Sequence, residues 1–334
     1  MVSFALPRIV IAGLAGNTGK TLVAAGLIRA LRRRGLTVAP FKKGPDYLDP
    51  AWLGAAAERG ARTLDTFLMP KQSILAALAG TRADLAVIEG NRGLFDGQDA
   101  NGTHSTAELA KLLRAPLLLV VDASKSTRTV AALVLGCLAL DPALALAGVV
   151  LNRVASARQE RIIRQAIRSA TGLPVLGAIP KLPQDHLPSR HLGLVMPAER
   201  QDRDQALETL ADTVERHVDV ASIKFLADEA PRLTVPKAAP AEKRPAAGPV
   251  TIGVLRDEAF SFYYPENLAA LAAEGAELVE ISPLHDPDLP SIDALYAGGG
   301  YPEEHAARLT RNTSFRNALA AKIAGGLPVW ARAA

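Results

Sequence analysis

Short apolar runs alternate with longer amphipathic stretches along the first two thirds of the chain. The runs are rich in β-branched residues, and several lack the alternation of a half-exposed strand, which is typical of strands buried on both faces. They cover residues 8–12, 36–41, 85–89, 116–122, 147–152 and 174–179. Helix-length segments between the runs cover residues 21–34, 127–140 and 156–170. This order predicts an α/β domain over residues 1–226 with a doubly wound, mostly parallel sheet, whose ligands bind at the carboxyl ends of the strands.

The pattern breaks over residues 227–249, which are dense in proline, alanine and charge and therefore predict a linker. A second α/β pattern follows over residues 250–334. Its strands are expected at 250–257, 277–282 and 293–300, and its helices at 265–275 and 314–324. So few strands leave an exposed edge on a parallel sheet, so we expect this second domain to be incomplete.

Composition narrows the class of protein. A chain of 334 residues with 49% apolar and 22% charged residues fits a folded protein of about two domains. The single cysteine, Cys137, excludes an intramolecular disulfide, and its apolar helical surroundings predict a core residue. Mixed charge, with 38 cationic and 34 anionic residues, and only 4% aromatic residues argue against nucleic acid as a partner. With no signal peptide and no long apolar run, we expect a cytoplasmic enzyme without a membrane partner.

The strongest motif spans residues 13–21, GLAGNTGKT, between the first strand and the first helix. Backbone N–H groups of such a turn approach a phosphate at the helix N-terminus. Lys20 is expected to reach the β- and γ-phosphates as a catalytic residue, and the Thr21 hydroxyl to bind Mg²⁺. Five residues, one more than in the usual P-loop, separate the two outer glycines, but the strand–turn–helix context opposes an ordinary turn. The predicted ATP-binding residues of this loop are Gly13, Asn17, Thr18, Gly19, Lys20 and Thr21.

The second strand ends in FKKGPDYLDP, residues 41–50. Lys42 is predicted to neutralise charge on the nucleotide during phosphoryl transfer. Asp46 is predicted as a Mg²⁺ ligand and catalytic group, and Asp49 as a catalytic group that positions substrate or ammonia. A solvated Gly-Pro-Asp turn explains the same residues, and the sequence alone leaves this alternative open.

Two further strand ends carry polar candidates. Glu89 ends the third strand, one strand from the phosphate loop, which is the position of a Walker-B-type Mg²⁺ ligand. Asp96, in the glycine-flanked loop that follows, is a catalytic candidate, although a turn residue is an equal alternative. Asn152 ends the fifth strand, where its amide is predicted to read the adenine edge of the nucleotide or simply to form a turn.

Residues 13–21, 41–50 and 89–97, together with the Gly298–Glu303 segment, resemble the cobyrinic acid a,c-diamide synthase family of the dethiobiotin-synthetase-like P-loop superfamily. The resemblance covers essentially the whole chain. It implies a partial class I glutamine amidotransferase-like domain over residues 250–334. It also implies ATP-dependent amidation of tetrapyrrole carboxylates, with glutamine or ammonia as nitrogen donor.

Two positions depart from the family pattern. Asn91 and Arg92 stand where the family usually has two apolar residues, which leaves a siroheme or sirohydrochlorin amidase as an alternative. After residues 327–331 the family has Glu-Cys-Gly-Gly, whose cysteine is the glutaminase nucleophile, whereas this sequence reads Arg332-Ala333-Ala334. We therefore expect either a truncated chain or the use of free or partner-supplied ammonia.

Two other classes of protein remain as alternatives. A P-loop ATPase that switches a partner shares Lys20, and a regulatory binding module fits a degenerate glutaminase half. The first does not explain residues 41–50 or the appended glycine-rich domain. The missing cysteine favours the second, but the intact phosphate loop and the carboxylates oppose it. Whether two copies form a homodimer stays open.

Overall fold

The structure is a computed structural model that describes residues 2–183, 186–190, 193–236, 248 and 250–332. The chain divides into two compact units, residues 1–238 and residues 239–334. Most of the second half of the predicted linker, residues 237–247 and 249, lies outside the described residues. No helix in the described ranges is both long and apolar enough to cross a lipid bilayer.

The first unit contains eleven described strands and eight described α-helices. The strands are β1 (Val2–Phe4), β2 (Arg8–Gly13), β3 (Val38–Lys43), β4 (Arg62–Leu64), β5 (Leu85–Glu89), β6 (Leu117–Asp122), β7 (Leu146–Val154), β8 (Val175–Pro180), β9 (Ser189–Arg190), β10 (Gly193–Leu194) and β11 (Leu233–Val235). The helices are α1 (Lys20–Arg33), α2 (Leu48–Ala57), α3 (Lys71–Ala79), α4 (Thr106–Leu112), α5 (Thr129–Leu140), α6 (Ala157–Thr171), α7 (Arg203–His217) and α8 (Val220–Asp228). A 3₁₀ turn covers Pro197–Glu199.

Seven of these strands form one parallel sheet in the order β4-β3-β5-β2-β6-β7-β8. Every residue of β2, β3 and β5 is buried, as the continuous apolar runs predicted. The chain runs outward from β2 to β3 and β4, then returns to β5 beside β2 and continues to β6 on its other side. The carboxyl ends of β2, β3 and β5 therefore meet where this reversal opens a crevice for a ligand.

Hydrophobic clusters cover both faces of the sheet. Alternation along β2 sends Ile9 and Ile11 to one cluster and Val10 and Ala12 to the other. On the first of these faces α1 lies so close to α7 that a Cβ at Gly26 would stand 2.5 Å from Val214 Cγ2. Cys137 is buried on α5, as predicted, and burial raises the pKa of its thiol.

The structure differs from the predicted linker near its start. Residues 233–235 form β11, which pairs antiparallel with β1, with Leu233 and Val235 buried. The wholly buried Arg8 fixes the returning chain, since its guanidinium donates to the backbone oxygens of Leu113 (2.6 Å) and Pro231 (2.5 Å). A three-residue strand is too short to show a hydrophobic period, so the sequence pattern missed it.

The second unit contains a four-stranded parallel sheet among its described residues. Its strands are β12 (Val250–Leu255), β13 (Ala276–Ile281), β14 (Ala294–Ala297) and β15 (Val329–Ala331), in the order β13-β12-β14-β15. Its helices are α9 (Pro265–Ala273), α10 (Ala306–Arg311) and α11 (Thr313–Ala324). A small apolar core of Leu255, Ile281, Leu295 and Phe315 lies beneath α11, and β15 is exposed along its length.

Candidate active site

The phosphate loop joins β2 to α1 as predicted, and its glycines are required by close contacts. Gly19, at the start of α1, has φ +97°, and a Cβ there would stand 2.1 Å from Asn152 Nδ2. A Cβ at Gly13 would stand 2.3 Å from Thr18 Oγ1. Asn17 also adopts a left-handed conformation, with φ 57°. The loop is therefore held tightly against its neighbours with its backbone at the N-terminus of α1.

Lys20 is the first residue of α1 and its side chain lies back across the loop. The residue is buried, and its Nζ donates to the Ala15 backbone oxygen at 2.9 Å. Burial lowers the pKa of Lys20 below its ordinary value, although the charge of Glu89 opposes the shift. A buried ammonium whose hydrogen bond goes to a neutral carbonyl is well placed to bind an anion.

A second lysine, Lys42, lies at the centre of a buried cluster of charges. It stands opposite Glu89 in the register of β3 and β5, and its Nζ lies 3.3 Å from Glu89 Oε1. The same ammonium donates to Asp49 Oδ2 at 2.5 Å and to the Gly90 backbone oxygen at 3.1 Å, with Asp46 Oδ2 at 3.9 Å. Lys42 is 1% exposed and Glu89 is fully buried. One cation is thus close to three carboxylates, one at the end of β5 and two at the start of α2.

The pKa values in this cluster show an excess of negative charge. Burial alone would lower the pKa of Lys42, but Glu89, Asp49 and Asp46 outweigh it and raise the pKa above its ordinary value. Burial raises the pKa of Glu89 to about 7 against the opposing attraction of Lys42. Burial and the neighbouring Asp49 also raise the pKa of Asp46. A further cation would relieve the repulsion among these carboxylates.

The oxygens beside the phosphate loop fit Mg²⁺. Thr21 Oγ1 donates to Glu89 Oε1 at 2.7 Å, while the buried Glu89 Oε2 has no hydrogen-bond partner within the described ranges. These are hard oxygen donors of the kind that Mg²⁺ prefers. Within the same ranges, no group of three or more His, Cys, Asp or Glu side chains could hold a metal alone. Mg²⁺ commonly binds through one or two carboxylates together with substrate phosphates and water, so this donor set is consistent with the predicted role.

Asp46 and Asp49 are positioned by the start of α2. Asp46 Oδ1 accepts hydrogen bonds from the backbone N–H groups of Leu48 (2.9 Å) and Asp49 (3.2 Å). This contact fixes the turn and leaves the other oxygen of Asp46 on the side of Lys42. The Gly-Pro-Asp turn considered as an alternative is therefore real, but it also brings both aspartates into the charged cluster.

Asp96 lies beside this cluster rather than within it. It is exposed, and its Oδ2 accepts a hydrogen bond from the Gly93 N–H at 2.8 Å. The loop that carries it is attached to the phosphate loop, because Leu94 N donates to the Gly13 oxygen at 2.7 Å. Asp96 also lines a cavity of about 320 Å³ that opens next to the loop.

Asn152 contacts the phosphate loop. The residue is 4% exposed, its Nδ2 donates to the Thr18 backbone oxygen at 2.9 Å, and its Oδ1 accepts from the Arg153 N–H. Because Gly19 has no side chain, the amide reaches the phosphate loop and fixes it.

Sequence reasoning missed the ion pair between Asp122 and Arg153. Arg153 Nη1 donates to Asp122 Oδ2 at 2.5 Å and to the Asn17 backbone oxygen at 2.8 Å. The available signal was the position of Asp122 at the carboxyl end of β6, next to β2 in the sheet.

In the second unit, the Gly298–Glu303 segment follows β14 and packs on aromatic residues. The Tyr263 hydroxyl accepts from the Gly298 N–H at 2.7 Å and donates to the Leu255 oxygen. A Cβ at Gly298 would stand 2.4 Å from Tyr263 Cζ, and one at Gly300 would stand 2.0 Å from the Ala259 oxygen. These glycines are needed for close packing of the loop.

Comparisons with protein-family models match both units. Residues 9–195 match the CobQ/CobB/MinD/ParA nucleotide-binding domain, and residues 251–332 match the CobB/CobQ-like glutamine amidotransferase domain. The first match confirms the predicted nucleotide-binding α/β fold. The second confirms the predicted amidotransferase-like character of the carboxyl-terminal part.

Curated relatives match nearly the whole chain. Cobyrinate a,c-diamide synthase from Magnetococcus marinus is 44% identical, over 98% of this chain and 72% of that protein. The enzyme of the same name from Syntrophotalea carbinolica is 46% identical, over 97% of this chain and 71% of the relative. The enzyme of that name from Archaeoglobus fulgidus is 43% identical, over 98% of this chain and 71% of the relative. These matches confirm the resemblance inferred from the motifs and the assignment to amidotransferase-type ligases.

Proposed function

The chain belongs to the cobyrinate a,c-diamide synthase family, and we propose that it uses ATP to amidate side-chain carboxylates of a tetrapyrrole. The observation that carries this proposal is the cluster beside the phosphate loop in which the buried Lys42 and Glu89 meet the partly exposed Asp46 and Asp49. A P-loop that only switched a partner would need Lys20 and Thr21, but it would not need a second buried lysine surrounded by carboxylates.

The proposed reaction passes through an acyl phosphate, because a carboxylate has no good leaving group of its own. A carboxylate oxygen attacks the γ-phosphorus of ATP, the bond between that phosphorus and the β–γ bridging oxygen breaks, and ADP leaves. Ammonia then attacks the carbonyl carbon, phosphate leaves with the former carboxylate oxygen, and the nitrogen loses a proton. The products are the amide, ADP and phosphate.

Both lysines act on the phosphoryl-transfer step. Lys20 and the loop amides bind the β- and γ-phosphate oxygens, where negative charge develops. Lys42 stays charged because its carboxylate neighbours raise its pKa, so it presents a fixed cation beside the transferring group. Since both side chains are buried, their attraction for the phosphates is less screened than it would be in water.

Thr21, Glu89 and Asp46 would hold Mg²⁺. When bound there, the ion neutralises charge on the phosphate oxygens. Asp49 keeps Lys42 in place through the 2.5 Å contact, and the same carboxylate borders the space where substrate or ammonia would stand. Asp96, from the loop attached to Gly13, completes the border as a group that positions the substrate.

Glutamine is the proposed source of nitrogen, supported by the amidotransferase-domain match over residues 251–332. Free ammonia is the chemically equivalent donor, since the acyl phosphate reacts with NH₃ from either source. The synthetase reaction can therefore be assayed with an ammonium salt at a pH that supplies free NH₃, which separates it from glutamine hydrolysis.

The test incubates the purified protein with ATP, Mg²⁺, cobyrinate and ammonium chloride, and follows product mass together with phosphate release. We expect each amide formed to be accompanied by one phosphate, and ATP hydrolysis to depend on the tetrapyrrole. ATP turnover that is unaffected by cobyrinate and yields no amide would contradict the proposal. Sirohydrochlorin replaces cobyrinate in a parallel reaction, which distinguishes the two tetrapyrroles.

A further inference from the structure

The cavity next to the phosphate loop is lined by cationic and polar side chains from two strand ends. Lys43 follows Lys42 on β3, and successive side chains of a strand point to opposite faces, so Lys42 enters the charged cluster while Lys43 lines the cavity. Arg92 and Asp96 line it from the loop after β5, and His104 and Phe67 from neighbouring segments. A volume of about 320 Å³ is enough for one edge of a small-molecule ligand.

The cationic side chains of Lys43 and Arg92 and the single carboxylate of Asp96 line this cavity, so its charge on balance favours an anion. Among the described residues no carboxylate forms an ion pair with Arg92, and the nearest carboxylate to Lys43 is Asp65, whose Oδ2 lies 3.8 Å from Nζ. Asp65 Oδ1 already accepts from the Phe67 and Leu68 N–H groups. Burial lowers the pKa of Lys43 against the opposing attraction of Asp65, and the nearby Lys42 and Arg92 add to the lowering, so an anion beside Lys43 and Arg92 would relieve repulsion among these cations.

Two further features of this cavity are the backbone conformation of its lining residues and an exposed aromatic ring at its mouth. Arg92 and His104 are both non-glycine residues in the left-handed conformation, with φ 47° and 63°. Left-handed conformations are uncommon in non-glycine residues, although Arg114 and Lys125 of this chain adopt them too. Phe67 is 62% exposed and meets the His104 ring edge to face at 5.4 Å between centroids. An apolar ring beside these cations suits a ligand that is flat and apolar but carries carboxylates.

We propose that this cavity binds a carboxylate of the tetrapyrrole that is not being amidated, with Arg92 as its principal partner and Lys43 as the second. This inference rests on the proposed function for the identity of the ligand. The contact would hold the edge of the macrocycle against Phe67 and leave another carboxylate free to reach the phosphate loop. The loop that carries Arg92 is itself attached to the phosphate loop by the hydrogen bond from Leu94 N to the Gly13 oxygen. Arg92 is therefore a specificity-determining residue.

The test measures cobyrinate binding by calorimetry in the absence of ATP, so that it does not depend on turnover. Arg92→Gly removes the guanidinium and also relieves the left-handed backbone, so the variant is expected to fold. Arg114→Gly is the matched control, because Arg114 is exposed and has the same φ of 47° but precedes the amino end of β6, whereas Arg92 follows the carboxyl end of β5. Arg92→Lys tests rescue by charge alone.

We expect Arg92→Gly to raise the Kd for cobyrinate by about tenfold or more, Arg92→Lys to recover part of the loss, and Arg114→Gly to match the wild type. Equal affinity in Arg92→Gly and the wild type, an equal loss in Arg114→Gly, or no binding by the wild type would overturn the proposal. Arg92-dependent binding without any amidation would support the subsite while contradicting the proposed function.

Discussion

Each unit places a glycine-rich loop at the carboxyl end of a buried parallel strand, yet the two loops have different neighbours. The loop after β2 packs against polar groups, since the amide of Asn152 fills the space beside Gly19. The loop after β14 packs against an aromatic ring, since the ring of Tyr263 fills the space beside Gly298. Among the described residues, only the first loop has a buried lysine and a buried carboxylate next to it. Glycines at a strand end therefore indicate close packing, and the charges beside them indicate chemistry.

Among variants that test this difference between the two loops, Lys20→Ala is expected to lose the most activity. Removing the ammonium takes away stabilisation of the transferring phosphoryl group, so we expect ammonium-dependent kcat to fall by about a thousandfold or more. Lys111→Ala is the control, because Lys111 forms surface ion pairs with Glu108 and Asp141 on the other side of the same unit. Near-normal turnover in Lys20→Ala would remove the phosphate loop from the mechanism.

A somewhat smaller effect is expected for Glu89→Gln. The variant keeps the shape of the side chain but loses the negative charge beside Thr21, so kcat should fall by about a hundredfold or more. Cobyrinate affinity, measured by calorimetry, should change by less than about threefold, since Arg92 and Lys43 rather than Glu89 are proposed to bind the tetrapyrrole. Lost tetrapyrrole affinity with unchanged ATP hydrolysis would instead assign Glu89 to substrate recognition.

The same variant should change how stability depends on pH. Because the folded-state pKa of Glu89 is raised from 4.5 to about 7, the folded protein binds this proton more tightly than the unfolded chain does. Its contribution to stability is full below pH 4.5 and is lost as pH rises through about 7. The free energy of unfolding of Glu89→Gln relative to the wild type should therefore increase from pH 5 to pH 8, by on the order of 2 kcal/mol. Denaturant titrations in the absence of Mg²⁺ measure it, and a pH-independent difference would contradict the buried charge.

The smallest effect concerns the second loop. Tyr263→Phe leaves the Gly298 N–H and the Leu255 oxygen without their shared partner, so we expect the free energy of unfolding to fall by about 1–2 kcal/mol. Ammonium-dependent amidation should remain within about twofold of the wild type, since no group in this loop takes part in phosphoryl transfer. A large loss of ammonium-dependent activity would show that the two loops are not as different as their neighbours indicate.

Much of the first unit could be predicted because its motifs follow strands. The continuous apolar runs locate β2, β3 and β5, and a parallel sheet brings their carboxyl ends together. The sequence alone therefore predicts Lys20, Lys42 and Glu89 as site residues. The structure brings these three together with Asp46 and Asp49, whereas Asp96 lies at the edge.

The remaining features depend on contacts that no local pattern contains. Asn152 contacts the phosphate loop because β7 places its amide in the space that a side chain at position 19 would occupy, and Gly19 leaves that space empty. The β11 strand forms because a buried Arg8 binds the returning backbone, and β4 and β11 are each three residues long, too short for a hydrophobic period. Asp122 ends a strand as visibly as Glu89 does, but its partner Arg153 is known only from the fold.

The central claim is that the charged cluster of the first unit promotes phosphoryl transfer from ATP to a carboxylate. The most direct test traces the carboxylate oxygen atoms into the products. Cobyrinate labelled with ¹⁸O in its carboxylates is incubated with the protein, ATP, Mg²⁺ and ammonium chloride, and the released phosphate is analysed by mass spectrometry. The account predicts one ¹⁸O in phosphate for each amide formed, with the other ¹⁸O kept in the amide. Unlabelled phosphate accompanying amide formation, or label appearing in AMP, would contradict it.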